Sequence, residues 1–187
     1  PLFTPARAAA MEGAVRRRCI ELIEGLAARW SCDFVADFTR RFPTTVFLEF
    51  MGLPTDRLEE FLEWEYAILH PPSSGEGRVE AMGKVAACFQ ELIAERRADP
   101  RDDAVSAAIA FAPDGRPVTD GELLQLCILL FMAGLDTVTA QLSYSFWHLA
   151  RHDADRARIV ADPGIIPDAV EELLRAYSLV LPARKLT

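Results

Sequence analysis

Apolar residues recur along this chain at the three- and four-residue spacing that is typical of amphipathic helices. In the N-terminal stretch the apolar side chains that share one face are Met11, Ala14, Val15, Cys19, Leu22, Ile23 and Leu26. Arg16, Arg17 and Glu24 fall on the opposite face. This pattern predicts a helix with one side packed on a core.

Turn-forming residues divide the rest of the chain into further helices. Proline, serine and glycine are concentrated over 71–77, where we expect a flexible connection able to move as a lid. The chain contains no internal repeat and no low-complexity tract. The remaining predicted elements are helices over about 44–51, 55–69, 78–97, a short stretch after Pro100, 119–150, 153–161 and a stretch opening at Pro167, followed by extended chain from Val180.

The helix predicted over 119–150 is the most informative element. Thr119 and Glu122 form a capping-box pattern at its start. At about 1.5 Å per residue, a helix of this length crosses a whole domain. Its centre, over 126–135, is apolar on every side, so we expect it to be a central helix surrounded by protein.

Polar residues interrupt this apolar helix at Ala133-Gly134-Leu135-Asp136-Thr137. Glycine inside a helix costs up to about 1 kcal/mol relative to alanine, and a buried carboxylate needs a partner, so the stretch indicates a site rather than packing. The alternative is structural. A threonine within a helix often bonds the carbonyl four residues back, and an aspartate can face a wet edge.

Composition and charge narrow the function classes. The chain has 187 residues, is 51% apolar and carries a formal net charge of -8. This favours a soluble globular domain with small molecules or proteins as partners, and disfavours nucleic acid and anionic membranes. The four cysteines show no Cys-x-x-Cys spacing and no nearby histidine cluster, so no disulfide framework or metal site is predicted. A reducing bacterial cytoplasm is the expected location.

Glu172 and Arg175 are three residues apart and are expected to share one helix face, where they can form an ion pair. Taken alone, such a pair is usually a solvated surface contact of about 0–1 kcal/mol.

The order of these motifs resembles the cytochrome P450 family over essentially the whole chain. The resemblance is carried by Pro-Leu-Phe-Thr-Pro at the start, Met51-Gly52-Leu53-Pro54, the Ala-Gly-Leu-Asp-Thr stretch, and Val170-Glu171-Glu172-Leu173-Leu174-Arg175. Within the family the chain is most similar to soluble bacterial enzymes of the camphor-hydroxylase type. The implied fold is mainly α: a partial cytochrome P450 fold with a long central distal helix, flanking helices and a minor β segment at the C-terminal end.

The resemblance implies a role for each matching residue. Asp136 and Thr137 are the implied catalytic residues: Thr137 holds bound oxygen and a water by hydrogen bonds, and Asp136 feeds protons inward. The implied haem contacts are Ala133, Gly134 and Arg184, the last through a propionate. The implied lining of the substrate pocket is Leu129, Met132 and Val180. The implied structural pair, buried beneath the haem, is Glu172 with Arg175.

The resemblance also implies a cofactor and partners. The cofactor is haem b, iron protoporphyrin IX, and the substrates are O2 and a small apolar molecule of terpenoid-like character. Electrons come from a ferredoxin and its reductase. His70 is a further candidate, as a partner of Asp136, and its alternative is an exposed histidine at a helix end.

The chain departs from the family in one respect that matters for chemistry. None of its cysteines lies in a sequence like the family's haem-binding loop, so no metal ligand is assigned and this chain by itself is expected to be inactive. We expect residues 1–187 to be an internal portion of a single cytochrome P450 domain that lacks the N-terminal part and the C-terminal cysteine loop.

Two alternatives to a monooxygenase stay open at this stage. One is a helical ligand-sensing protein whose apolar helix lines a cavity, although the sequence has no basic helix-turn-helix signal. The other is a haem-free scaffold protein.

Overall fold

A computed structural model describes residues 2–29, 31–71 and 75–179 of the chain, with only the backbone of Asp114. Within these ranges the secondary structure is helical and contains no strand. The predicted mainly α fold is therefore confirmed. The β segment expected from Val180 lies outside the described residues. The α-helices are α1 (Pro5–Ala27), α2 (Arg41–Met51), α3 (Leu58–Leu69), α4 (Glu76–Ala98), α5 (Ala104–Ala110), α6 (Asp120–Gly134), α7 (Asp136–Arg151), α8 (Asp153–Ala161) and α9 (Ile166–Ala176).

Short non-α segments connect several of these helices. A π-helix over Val35–Thr39 leads into α2, and Thr139 of α7 donates a hydrogen bond of 3.0 Å to the carbonyl oxygen of Thr39. Three 3-10 turns connect other helices. One, Thr55–Arg57, leads into α3; another, Pro113–Gly115, lies between α5 and α6; the last, Pro163–Ile165, leads into α9. The prediction placed the start of α2 after Pro43, but α2 begins at Arg41, because proline is tolerated in the first turn of a helix.

The core is centred on four phenylalanines, one from each of four helices. Phe47 of α2, Phe61 of α3, Phe89 of α4 and Phe131 of α6 are at most 7% exposed. Each ring contacts the other three, with centroid separations from 5.9 to 6.4 Å. Edge-to-face packing of this kind adds to the free energy of apolar burial. The cluster fixes the position of α6 from one side.

A buried ion pair joins α4 to α5 and to the end of α2. The Arg96 guanidinium donates to the Asp103 carboxylate and, at 2.7 Å, to the carbonyl oxygen of Gly52. Asp103 is also the N-cap of α5, where it accepts a hydrogen bond of 2.7 Å from Ser106 N. Burial alone raises the pKa of Asp103, but the hydrogen bonds from Ser106 and Arg96 outweigh it and hold that pKa below its usual value. Gly52 closes α2 at φ +75°.

The expected central helix differs from the prediction in two ways. It is divided at Leu135 into α6 and α7, and within the described structure it is not surrounded by protein. One side of α6 is buried, but Leu129 is 61% exposed, and Thr139 is the buried residue of α7. By length and composition alone, residues 120–151 are long and apolar enough to cross a membrane. In the apolar stretch that meets this criterion, 22% of the residues are buried. The core helix of a soluble protein meets the same criterion.

The structure confirms that the N-terminal stretch forms a helix, α1, but the apolar side of this helix is not closely packed on the core. None of its described residues is fully buried, and Ile20 and Ile23 are 46% and 49% exposed. The same holds for α8 and α9, in which no described residue is fully buried. The best-packed part of the described structure is thus formed by α2 to α6.

Candidate functional site

The junction between α6 and α7 is the position where the sequence predicted a site. Leu135 lies between the two helices with φ -97° and ψ -66°, and its side chain is 1% exposed. Its carbonyl oxygen accepts a hydrogen bond of 2.9 Å from Thr139 N, which starts the α7 ladder. Leu135 therefore anchors the break to the core, while the residues on either side of it face outward.

Part of α6 is buried and part of it is open. The buried residues form a row at four-residue intervals, consisting of Leu123, Cys127, Phe131 and Leu135. Of the predicted site residues on α6 and α7, Leu129, Ala133 and Asp136 are exposed, whereas Met132, Gly134 and Thr137 are half-buried.

An apolar groove of about 790 Å³ is lined on one wall by Leu130, Ala133, Gly134 and Val138 of α6 and α7. A Cβ atom added at Gly134 would meet nothing within 4 Å, so this glycine borders open space. The other walls of the groove come from the N-terminal segment, α1 and α2: Leu2, Phe3, Thr4, Pro5, Ala8, Met11, Val15, Phe42, Pro43, Val46, Phe47 and Phe50. The groove brings Ala133 and Gly134, both predicted haem contacts, to one apolar surface.

Thr137 bonds the backbone one turn before it. Its hydroxyl donates a hydrogen bond of 2.6 Å to the carbonyl oxygen of Ala133. This is the contact that the structural alternative for Thr137 requires, and it spans the break at Leu135. The hydroxyl oxygen keeps its acceptor capacity. The catalytic role of Thr137 stays a prediction.

Asp136 lies beside a second carboxyl group, that of Glu65 on α3. The two residues line a small cavity of about 10 Å³, with Ile68, Leu69, Phe131 and Met132 forming its apolar walls. Asp136 is exposed, whereas Glu65 is 6% exposed. A cavity of this size is at the lower limit for one water molecule, which takes roughly 10–15 Å³.

Glu65 is held in an environment that favours its neutral form. Burial, together with the negative charge of Asp136, raises the pKa of Glu65 to about 7, against an opposing effect of Arg40. Its Oε2 atom has no hydrogen-bond partner within the described part of the chain. Arg40 is engaged elsewhere: its Nη2 donates to the Leu62 carbonyl oxygen at 3.3 Å, and its guanidinium lies over the Tyr66 ring.

His70, the residue considered as a partner for Asp136, is exposed and takes a different position. Its ring stacks on the Tyr66 ring with centroids 4.6 Å apart. It is not among the residues that line the cavity beside Asp136. In the described structure, the titratable α3 residue that lines the cavity beside Asp136 is Glu65.

Glu65 was not predicted as a site residue, although the sequence carries a signal for it. Phe61, Glu65 and Ile68 are spaced by four and three residues, which places the glutamate on the buried face of α3. A carboxyl group at a core position of an amphipathic helix breaks the apolar pattern, which is the criterion that predicted Asp136.

The residues predicted to line a substrate pocket are only partly brought together. Leu129 is 61% exposed, and Met132, on the next turn, lines the cavity of Glu65 and Asp136. Val180, the third predicted wall, and Arg184, the predicted propionate ligand, lie outside the described residues. Their roles stay predictions.

Glu172 and Arg175 form the ion pair that their spacing predicted. Arg175 donates two hydrogen bonds, of 2.7 and 2.6 Å, to the Glu172 carboxylate. The side chains are 73% and 61% exposed, so the burial implied by the family resemblance is not found within the described structure. The reason is that α9 packs mainly on α7 and on the turn before α9, with its paired side chains facing outward.

The four cysteines do not provide a metal site in the described structure. No group of three or more histidine, cysteine, aspartate or glutamate side chains is placed to hold a metal ion there. Cys127 is buried in the α6 core, and burial raises the pKa of its thiol to about 12. Cys88 is also buried, with a raised thiol pKa, and accepts a contact of 3.2 Å from Arg57. Neither is a ready thiolate.

Three curated relatives cover nearly all of the chain. Probable cytochrome P450 127A1 of Sinorhizobium fredii is 35% identical over 181 residues, 96% of this chain and 43% of that protein. Mycinamicin IV hydroxylase/epoxidase of Micromonospora griseorubida is 33% identical over 175 residues, 92% of this chain and 44% of that protein. Steroid C26-monooxygenase of Mycobacterium tuberculosis is 30% identical over 179 residues, 92% of this chain and 48% of that protein.

Solved structures with the same fold lead to the same family. A mutant of the mixed-function P450 MycG in complex with mycinamicin V has a TM-score of 0.85 at 32% identity, over 93% of this chain and 45% of that chain. CYP101J2 gives 0.84 at 30% identity, over 95% and 44% respectively. No family model matches the chain. The chain spans less than half the length of these proteins, and its fold is that of the corresponding part of a cytochrome P450.

Proposed function

We propose that this chain, which belongs to the cytochrome P450 family, is an internal portion of the single domain of a haem-dependent monooxygenase. The observation that carries the proposal is similarity at 30–35% identity over at least 92% of the chain to relatives named as cytochrome P450, hydroxylase or monooxygenase. A bacterial cytoplasmic location is part of the same proposal.

The residues present fit one side of a haem. Ala133 and Gly134 lie on open apolar surface, and a Cβ at Gly134 would meet nothing, so a flat apolar group can approach the helix closely there. We assign Ala133 and Gly134 to this contact, with Arg184 as the donor to a propionate. No cysteine of this chain is assigned as a ligand of the haem iron.

Haem in this family supplies the binding and activation of O2. The contribution of this chain is the handling of protons beside it. Asp136 is an exposed carboxylate at the first turn of α7, and Thr137 is a hydroxyl at the next position. Asp136 takes a proton from solvent. The Thr137 hydroxyl oxygen receives that proton or relays it through one hydrogen-bonded water. The exposed position of Asp136 gives it access to that solvent.

The proposed substrate is a small apolar molecule. Leu129, Met132 and Val180 are the side chains assigned to its pocket, and a pocket walled by aliphatic and thioether groups selects for apolar shape. Terpenoid-like molecules meet this requirement. The relatives named above carry mycinamicin and steroid in their names.

The proposed electron donor is a ferredoxin-type protein with its reductase. A test is to supply the whole protein with a surrogate ferredoxin, its reductase and 18O2, together with a panel of small terpenoids. The expected result is one 18O atom in a hydroxylated product and its absence when reductant is omitted. Haem-containing protein that consumes no reductant with any member of the panel would contradict the substrate class.

A further inference from the structure

The buried carboxyl group of Glu65 lies beside the proposed site, and the function above does not use it. Glu65 projects from α3 into the core on the same face as Phe61 and Ile68. Its Oε2 atom is buried without a hydrogen-bond partner in the described structure. A buried polar atom of this kind costs free energy, so its presence calls for a reason beyond packing.

Of the two charged groups that act on Glu65, Asp136 is the one that is also a carboxyl group. The charged groups that act on the Glu65 carboxyl are Arg40, before α2, and Asp136, on α7. Arg40 is held by the Leu62 carbonyl oxygen and the Tyr66 ring. No ion pair with Glu65 is formed by Arg40 or by another described cation within 4.0 Å. Asp136 shares a cavity with Glu65 in which the other walls are apolar.

We propose that Glu65 holds a proton that it donates across this cavity toward the Asp136 carboxylate, so that the two carboxyl groups share one proton and Glu65 acts as a positioning residue for Asp136. The cavity has room for at most one bridging water. Two carboxyl groups that line the same small cavity do not both ionise readily, because like charges repel in a poorly solvated space.

This arrangement defines a proton transfer that balances. The O–H bond of Glu65 breaks and an O–H bond forms on Asp136, leaving Glu65 as the carboxylate; the Asp136 O–H bond then breaks as its proton passes toward Thr137. A proton from solvent then enters through the exposed side of Asp136 and restores Glu65. Glu65 touches neither substrate nor oxygen, so it acts through Asp136 and not on the reaction directly.

The proposal rests on the proposed function for its role in turnover, but its structural part is testable without activity. The test uses the whole protein, native and Glu65→Gln, with Glu63→Gln as the matched control, because Glu63 lies on the same helix and is exposed. Infrared spectroscopy of the carboxyl C=O band is recorded from pH 5 to 9. A band that titrates near neutrality is expected in the native and Glu63→Gln proteins and absent in Glu65→Gln.

A second variant tests the coupling. In Asp136→Asn the neighbouring negative charge is removed, and the Glu65 band is expected to disappear at a lower pH than in the native protein, since Asp136 helps to keep Glu65 protonated. A carboxyl band that is unchanged in Glu65→Gln, or a titration that is unmoved in Asp136→Asn, would overturn the proposal.

Turnover provides the readout that links the pair to function. In Glu65→Gln we expect the alkaline limb of the kcat–pH profile to shift, with KM unchanged and more hydrogen peroxide formed per reductant consumed; an unshifted profile would overturn the proposed role. The reduced carbon-monoxide spectrum of the same samples separates the two claims. If the native protein lacks a haem–thiolate band, the proposed function fails, whereas the infrared titration still decides whether Glu65 and Asp136 share a proton.

Discussion

Replacement of Gly52 by alanine should destabilise the fold far more than the same replacement at Gly115. Both glycines have a positive φ, of +75° and +77°, so each alanine incurs roughly 1–2 kcal/mol of backbone strain. They differ in their surroundings. A Cβ at Gly52 would lie 2.8 Å from Cβ and Cγ of Asp103, whereas a Cβ at Gly115 would meet nothing within 4 Å.

The overlap at Gly52 forces Asp103 away from its partners. Asp103 is 7% exposed and pairs with Arg96, which is 1% exposed. Breaking a buried pair costs about 3–5 kcal/mol, because a charge is left buried without compensation. Gly52→Ala should therefore lower the free energy of unfolding by roughly 4–7 kcal/mol, against roughly 1–2 kcal/mol for Gly115→Ala.

The assay is urea unfolding of the whole protein, followed by far-ultraviolet circular dichroism, for both single variants. A double variant, Gly52→Ala with Asp103→Gly, isolates the cause, because glycine lacks the Cβ atom with which the new methyl group collides. If the collision with Asp103 is responsible, Gly52→Ala adds only about 1–2 kcal/mol in the Asp103→Gly background. Equal midpoints for Gly52→Ala and Gly115→Ala would refute the reasoning.

Three further predictions follow from the helix ends and the buried carboxyl. The pKa of Glu65 is raised from 4.5 to about 7 in the folded protein, so native stability is full below pH 4.5 and falls as pH rises through 7. The difference in unfolding free energy between Glu65→Gln and the native protein, measured in urea, should shift in favour of Glu65→Gln by roughly 3 kcal/mol from pH 4 to pH 8, at about 1.4 kcal/mol per pKa unit. A difference that stays constant with pH would contradict this. Thr119→Ala removes the capping box that Thr119 forms with Glu122, and should lower the unfolding free energy, measured in urea, by about 1 kcal/mol. Thr4→Ala on α1, which removes an N-cap threonine without a capping box, is the comparison variant. Thr137→Val keeps the shape of the side chain but removes its hydroxyl, and should lower product formation by roughly 100-fold while reductant is still consumed; product yield equal to that of the native protein would remove Thr137 from the mechanism.

The positions of most helices follow from local signals in the sequence. Capping at Thr119, proline near the starts of α2 and α9, and glycine after α2 each act within a few residues, so their effects are readable without tertiary structure. The same locality explains the ion pair of Glu172 and Arg175, which its three-residue spacing fixes.

The features that sequence analysis missed depend on packing between distant segments. The break at Leu135 is stabilised by burial of that side chain against the core, and no proline in the sequence marks its position. The apolar centre of α6 predicted burial on all sides, but periodicity does not specify which partner covers each side, and the described structure covers one. The small cavity that Glu65 and Asp136 both line joins residues that are 71 positions apart in the chain.

We propose that the whole protein binds haem through a thiolate that this chain does not supply. The most direct test is the reduced carbon-monoxide difference spectrum of the whole protein beside that of the 187-residue chain. We expect a thiolate-type band from the whole protein and none from the chain alone. Absence of a haem signal from both would contradict the monooxygenase and favour a haem-free scaffold or ligand-binding protein.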